Sequence, residues 1–313
     1  MNWKLQFNAK PPRTAPAITL SLLLVGSSAL FLPQPAVAAA PDGLRLEVFT
    51  ADDGSWGVTS TLIYGKTEAV LIDGQFHASQ AKRLAERILT LGRRLDAIII
   101  THPDDDHYLG LAVLHERFPG AKIYLTEAAL EVFRRTADQE LARQRKNAPA
   151  EMPDSVPAAE ALPATLLLVD GQPVLIIKDF QGDVKTPMNS FVWVPSLQAV
   201  IAGDIVFGGI HPWLADSNEQ TRAAWLRSLE FIAGLHPLVV VPGHKADPNL
   251  PNSPGTLDFM RRYLGDFESA RKAATTDEAL IAAMKQQYPG LKQEKFLVYA
   301  AKAAFPPPPP PGQ

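Results

Sequence analysis

The chain has 313 residues, with 28 prolines, 7 histidines and no cysteine. The missing cysteine excludes a disulfide framework, a thiolate nucleophile and Cys-ligated zinc or iron–sulfur sites. With 30 basic against 33 acidic residues, a net of −3, the chain lacks the basic excess of a nucleic-acid binder, and 46% hydrophobic residues are too many for a disordered one.

Residues 1–40 read as an export signal. Lys4, Lys10 and Arg13 form a basic stretch, the apolar run 17–32 follows, and Ala36-Val37-Ala38-Ala39-Ala40 supplies an A-x-A cleavage pattern. The run is short for a membrane span of about 20 residues and holds Gly26, Ser27 and Ser28. The expectation is a periplasmic or secreted protein with no stable membrane span after cleavage. Residues 41–313 carry 27 basic against 33 acidic residues, a net of −6, so no nucleic-acid partner is expected. Residues 305–313 contain six consecutive prolines, Pro306 to Pro311, and read as a polyproline tail. One domain over residues 41–304 remains.

Short β-rich runs come first, at residues 44–50, 58–64 and 69–72, with a turn at Asp52-Asp53-Gly54-Ser55. A helix over 79–91 places Ala81, Leu84, Ile88 and Leu91 on one face, and Gly92 closes it. The run 95–101 is almost continuously apolar, as for a strand covered on both faces. After a polar loop come a helix ending at Phe118, a strand at 122–125 and a helix over 127–146. The Pro-, Ala- and acid-rich residues 148–163 read as a linker between two halves. Strands at 165–169, 174–180, 190–194 and 199–202 open the second half. A helix over 218–234 follows, with Ser217 as its expected cap and Gln220 three residues on. A strand at 238–241 and helices near 257–274, 277–287 and 293–304 complete the chain. Sheet packed on sheet, with helices outside, is the layered solution to this pattern.

The chemistry concentrates in Thr101-His102-Pro103-Asp104-Asp105-Asp106-His107-Tyr108-Leu109-Gly110, between a buried strand and a helix. An acidic helix cap explains one aspartate. It does not explain two histidines five residues apart. Imidazole and carboxylate are the usual ligands of divalent cations, and a tight loop brings His102, Asp104, Asp106 and His107 together. Three further strand ends carry ligand-type residues: Asp73 after Val70-Leu71-Ile72, Asp204 after Ile201-Ala202-Gly203, and His244 after Pro242-Gly243.

From Leu44 to His244 the sequence resembles the metallo-β-lactamase-fold hydrolase superfamily, whose pattern is a His-x-His-x-Asp-His loop, a Gly-His-x-x-Gly segment, a Gly-Asp strand end and a late Pro-Gly-His. The resemblance implies an α/β fold, a four-layer αββα sandwich, with one or two divalent metal ions in a cleft at the top of the sheets. His102, Asp106, His107, Asp204 and His244 match ligand positions directly. Two positions depart from the pattern. Asp104 stands where the loop has its second histidine, and Gly182-Asp183-Val184-Lys185 stands where the third ligand histidine belongs. Asp183 is the preferred ligand there, with Lys185 the alternative. Both departures fall in the first metal site, making it harder and more acidic, which favours Mn, Fe or another oxygen-tolerant ion there relative to plain histidine-bound zinc. The second site, Asp106, His107, Asp204 and His244, is intact, and zinc is the leading expectation for the centre, with Mn or Fe as alternatives.

The resemblance implies an exported metal-dependent hydrolase acting on a small ester, lactone, thioester or amide through metal-activated water. Asp106 would bind metal and orient the nucleophile, Asp204 would bridge, and Asp73 would brace the ligand loop. Other candidates lie near the expected cleft. Tyr108 is either a hydrogen-bond donor to substrate or a core residue. Trp56 is either a rim aromatic or local packing. His211 and Lys245 are candidate substrate contacts, with ordinary structural roles as their alternatives. The altered first site argues against a standard β-lactamase, and export argues against a thioesterase of the glyoxalase II kind. A non-catalytic or mono-metal binding protein that retains the fold, and a di-iron redox protein, are the competing classes.

Overall fold

The computed structural model describes residues 43–306. The expected export signal, and the tail from residue 307 onward, lie outside the described residues. Six strands form a first sheet: β1 (Arg45–Thr50), β2 (Thr59–Tyr64), β3 (Glu68–Ile72), β4 (Arg94–Ile99), β5 (Lys122–Leu125) and β6 (Glu160–Ala161), in that spatial order. β1 to β3 pair antiparallel and β3 to β6 pair parallel. Parallel pairing requires crossovers. α1 (Ala78–Leu91), α2 (Leu111–Arg117) and α3 (Glu127–Asn147) supply them.

The second half gives β7 (Leu166–Val169), β8 (Gln172–Phe180), β9 (Asn189–Val194), β10 (Ala199–Ile201), β11 (Phe207–Gly208), β12 (Val239–Val241) and β13 (His244–Lys245). The second sheet has the order β12-β10-β9-β8-β7, parallel only between β10 and β12. β11 and β13 form a two-residue parallel ribbon. The helices are α4 (Glu219–Gly234), α5 (Gly255–Ala273), α6 (Asp277–Gln287) and α7 (Glu294–Ala304).

Successive strand residues point to opposite faces, and the chain uses this to build three apolar layers. Leu62, Leu71 and Ile98 face outward to Leu84 and Ile88 of α1, Leu114 of α2 and Phe133 of α3. Their neighbours Ile63, Val70, Ile72 and Ile99 face inward, against Val174, Ile176, Val192 and Ile201 of the second sheet. Val200 and Val240 face outward again, beneath Trp225, Leu229 and Tyr263. Full burial contributes about 1.5–3 kcal/mol for each Leu or Ile. This is the αββα sandwich that the resemblance implies.

Three local features bear on the sequence reading. Gly92 closes α1 at φ 63, a left-handed conformation that glycine adopts without steric cost. The cap of α4 is Asn218 rather than Ser217: its side chain accepts the Thr221 N–H at 2.9 Å, and Thr221 Oγ1 accepts the Asn218 N–H at 2.8 Å. Asn218 has the extended backbone a cap requires, while the Ser217 hydroxyl bonds Leu214 O. Residues 148–163 are a strap rather than a free linker. Glu151 accepts the Ser79 N–H at 2.9 Å, Ala159 is buried in the first core, and β6 joins the sheet. Among the described residues no helix is long and apolar enough to cross a membrane.

Candidate metal centre

Four chain segments bring ligating side chains to one end of the sandwich. The loop after β4 carries His102, Asp104, Asp106 and His107. The turn before β9 carries Asp183. The ends of β10 and β12 lead to Asp204 and His244. These seven side chains fall into overlapping groups whose ligand atoms lie within 4.8 Å of one another: His102, Asp104 and Asp183; His102, His107 and Asp204; Asp106, His107 and His244. Asp183 and Lys185, the two candidates for the third-ligand position, are placed differently. Asp183 points into the cluster, whereas the Lys185 ammonium pairs with Asp216 at 3.3 Å.

Two glycines make the convergence sterically feasible. A Cβ on Gly243 would stand 2.0 Å from Asp204 Oδ1, and one on Gly203 would stand 2.7 Å from Thr101 Oγ1. Only a residue without a side chain lets these two strand ends press beneath the ligand loop. That is the local reason for Gly-Asp and Pro-Gly-His.

Each of the three imidazoles turns Nδ1 toward the surrounding fold and Nε2 toward the carboxylates of the cluster. Asp73 accepts the Thr101 N–H at 2.8 Å and the Thr101 hydroxyl proton at 3.0–3.1 Å. With its proton committed, the hydroxyl accepts from His102 Nδ1, 2.9 Å away. His107 Nδ1 lies 3.0 Å from Asp73 Oδ2, and His244 Nδ1 donates to Trp56 O at 3.0 Å. At His102 and His244 an acceptor at Nδ1 fixes the tautomer and leaves Nε2 for a cation, whereas His107 Nδ1 has only the nearby charge of Asp73 and no hydrogen bond. The Nε2 atoms point inward: those of His107 and His244 are 3.4 Å apart, and Asp204 stands 3.1 and 3.0 Å from them. His102 Nε2 is buried without a hydrogen-bond partner, 3.9 Å from Asp104 and 4.0 Å from Asp204. A buried, partnerless imidazole nitrogen aimed among carboxylates fits a cation ligand.

The electrostatics give the same answer. Burial and the neighbouring carboxylates Asp106 and Asp204 hold Asp104 well above the usual carboxylate range. Burial, Asp204 and Asp104 do the same to Asp183. At His244 burial opposes the charged form, but Asp204 and Asp106 overcome it and push the imidazole up to about 10. Burial opposes the Asp204 carboxylate too, yet His244 and His107 hold it well below its ordinary value. His102 is pushed down to about 4 by burial and then by His107. Four carboxylates share this desolvated volume, and buried charge requires compensation. Divalent cations would provide it, in competition with protons for the same atoms.

The remaining sequence-derived residues divide. Asp73 does brace the loop, as described. Its own backbone is left-handed at φ 64, an uncommon conformation that Asp tolerates better than most residues. Trp56 lines the cleft and also orients His244 through its carbonyl. The other three assignments are corrected. Tyr108 is fully buried against Phe133, ring centroids 4.9 Å apart, and burial followed by Asp105 raises its pKa; it is a core residue. His211 is buried and bonded through Nδ1 to Tyr263 OH at 2.7 Å, beneath α5. Lys245 is also buried, with Nζ donating to Pro248 O and Asn252 Oδ1, both at 3.1 Å. Neither faces the cleft.

The cleft has a volume of about 740 Å³, within the range of small-molecule sites. Its floor holds Asp104, Asp106, Asp183, Asp204 and His244. α3, the 183–188 loop and α7 form its walls. Several contributors escaped the sequence reading. Asn189 donates to Asp183 Oδ1 at 3.1 Å and accepts the Gly182 N–H at 3.1 Å. Ser190 fixes Thr101 O at 2.7 Å. Arg143 and Gln144 of α3 clamp Asp105 at 2.9 and 2.8 Å, which turns that carboxylate away from the ligands. Asn189 opens a strand beside the Gly-Asp segment, a signal that was available. The α7 residues carry no local signal.

Coenzyme F420H(2) oxidase of Methanocaldococcus jannaschii is 33% identical over 75 residues, covering 22% of this chain. The match spans only 18% of that relative's length. Among solved structures, a metallo-beta-lactamase family protein from Thermus thermophilus superposes with a TM-score of 0.58 at 18% identity, over 84% of this chain and 91% of that one. A beta-lactamase domain protein from Burkholderia ambifaria does so with a TM-score of 0.58 at 14% identity, over 87% and 89%. These likenesses establish the fold. Residues 53–244 match the metallo-beta-lactamase superfamily, and it is to this superfamily that the chain belongs.

Proposed function

We propose that the protein is an exported metal-dependent hydrolase of small esters, lactones, thioesters or amides. One observation carries the reading: three imidazoles and four carboxylates bring their ligand atoms together at the floor of an open cleft. His102, Asp104 and Asp183 would hold one cation. Asp106, His107 and His244 would hold the other, with Asp204 between them. The carboxylate-rich first site suits Mn or Fe and the imidazole-rich second site suits zinc. When bound, divalent cations supply a hydrolytic nucleophile near neutral pH and polarise the substrate's oxygen.

The chain's own residues do the rest. Asp73 holds Thr101, Thr101 fixes the His102 tautomer, and the Asp73 carboxylate stands 3.0 Å from His107 Nδ1, so the ligand geometry exists before substrate arrives. Asp106 Oδ2, 3.2 Å from His244 Nε2, faces the cleft and is the acceptor for the proton released at the nucleophile. Trp56 and Phe296 pack edge-on beside His244 and give the cleft an apolar side next to the floor. Export rests on the N-terminal basic, apolar and A-x-A pattern.

The test is metal analysis of the purified protein, then ester, lactone, thioester, amide and phosphodiester substrates with and without chelator. The expected result is at least one equivalent of metal and turnover that chelation abolishes. Turnover indifferent to chelator, or no bound metal, would overturn the reading. A second reading, redox chemistry at two irons, is supported by the segment shared with the F420H(2) oxidase and by the carboxylates at the first site. A visible iron spectrum that bleaches on reduction would favour it, and a colourless, active zinc form would exclude it.

A further inference from the structure

The cations around the cleft are not equivalent. Lys185 pairs with Asp216 at 3.3 Å, Arg143 with Asp105 and Glu140 at 2.9 and 2.6 Å, and Arg135 with Glu131 at 3.8 Å. Lys295, in the first turn of α7, also lines the cleft, yet among the described residues no carboxylate lies within 4.0 Å of its Nζ. Its ammonium rests instead on an aromatic platform, 4.7 Å from the centroid of Trp56 and 5.9 Å from that of Phe296. Such a platform holds a cation in place and leaves its N–H donors for another acceptor. Burial lowers the Lys295 pKa while Asp53 and Asp106 oppose it, so the ammonium stands within electrostatic reach of the metal-site floor.

The same wall is apolar. Trp56 stacks edge-on with Phe296, 5.8 Å between centroids. Trp213 contacts both Phe296 and Tyr299, at 5.3 and 5.6 Å. Across the cleft, Val184 and Met188 add aliphatic surface. Tyr299 is 52% exposed, a large ring left open at the mouth. An apolar wall ending in one uncommitted ammonium, beside a hydrolytic centre, specifies a ligand.

We propose that Lys295 is a specificity-determining residue, and that the substrate is amphipathic: an apolar body on the Trp213–Phe296–Tyr299 wall and an anionic group paired with Lys295. This rests on the hydrolase reading and narrows its substrate class. The scissile bond lies over Asp106 and Asp204, and the anionic group is carried on the part of the substrate directed toward α7. Because Lys295 meets Trp56 and Phe296 through their rings and is not one of the ligand residues, the contact acts on substrate choice.

The test compares two para-nitrophenyl esters matched in length, the hexanoate and the mono-ester of adipate, on metal-loaded wild type, Lys295→Met and Lys295→Arg. A charge-assisted hydrogen bond predicts roughly a tenfold preference in kcat/KM for the anionic ester in the wild type. The preference is expected to collapse to about one in Lys295→Met and to return in Lys295→Arg. A parallel calorimetric arm measures binding of phenylbutyrate against phenylbutyramide to the same proteins. If neither ester turns over but phenylbutyrate binds and Lys295→Met abolishes its advantage, the anion site stands and the hydrolase reading falls. If both esters turn over equally well in the wild type, or the preference survives in Lys295→Met, the anion site is refuted while the hydrolase reading stands. No turnover and no binding refutes both.

Discussion

Asp73→Asn isolates the anchoring of the ligand loop from the ligands themselves. Asp73 touches no other predicted function: it is buried, accepts from the Thr101 N–H and hydroxyl, and faces His107 Nδ1 at 3.0 Å. Asparagine keeps the shape and tolerates the left-handed φ of 64 about as well as aspartate, so backbone strain is unchanged. One carboxylate oxygen becomes an N–H donor. If Oδ1 keeps the Thr101 N–H, the new donor faces His107 Nδ1, forcing a tautomer change or leaving two donors in opposition. Hydrogen bonds to charged groups are worth about 1.5–3 kcal/mol, and RT ln 10 of about 1.4 kcal/mol converts this to roughly a 10–100-fold loss. Partners that orient ligating histidines show losses of that size in metal affinity. The assay is equilibrium competition of zinc between protein and a chromophoric chelator, with far-ultraviolet circular dichroism as the fold control. Zinc affinity equal to wild type in a folded variant would refute the orienting role of Asp73 and the tautomer argument built on it.

Four further outcomes follow from the same geometry. Asp106→Ala and His107→Ala are each expected to abolish hydrolysis with secondary structure intact; near-normal turnover in either would remove that residue from the centre. Asp104→His is expected to raise zinc occupancy at equal free zinc, because imidazole suits zinc better than a carboxylate in this set; metal content indistinguishable from wild type would show that Asp104 does not ligate. Gly243→Ala places a Cβ 2.0 Å from Asp204 Oδ1 and is expected to cost about 1–3 kcal/mol together with metal retention, so a wild-type Tm with full metal occupancy would contradict the close approach of the two strand ends. His211 is held down to about 4, by burial first, below an unfolded value of about 6.5. Its neutral form therefore contributes stability that is fully present above pH 6.5 and lost as the pH falls toward 4. Urea midpoints at pH 7 and pH 4.5 should differ less in His211→Asn than in wild type, and an equal difference would sink the assignment.

The sequence reading succeeded where a local pattern carries the information. The run 95–101 is almost continuously apolar, which predicts a strand covered on both faces, and Ile98 and Ile99 do pack into different layers. The helix over 277–287 and the strand at 122–125 were bounded correctly. The ligand loop declared itself because two histidines and three aspartates in six residues have no economical structural explanation. Asp105 shows the limit within that loop. It is the same residue type as its neighbours, but α3 supplies Arg143 and Gln144 on its side, and it turns toward them.

Residue type at a strand end says that a ligand is available; it does not say where the side chain goes. Tyr108 follows His107 directly, yet it rotates under α3 to meet Phe133. Lys245 follows His244 directly, yet alternation on β13 sends it to the opposite side, where Pro248 and Asn252 receive it. Trp213 reaches the cleft and His211, two residues earlier, does not.

The absence of cysteine and the two histidines of the 102–107 loop limited the centre to imidazole and carboxylate before any fold was known, and the order of strands and helices implied the layers. Both are properties of near neighbours in the chain, set by residue chemistry and backbone period. The assembled centre is of a different kind. Trp56 orients His244 across 188 positions, Asp73 reaches Thr101 across 28, and Lys295 meets Trp56 from the last helix. Those contacts arise only when two sheets pack and their strand ends converge, so they are long-range consequences of burying the apolar faces, and no local pattern encodes them.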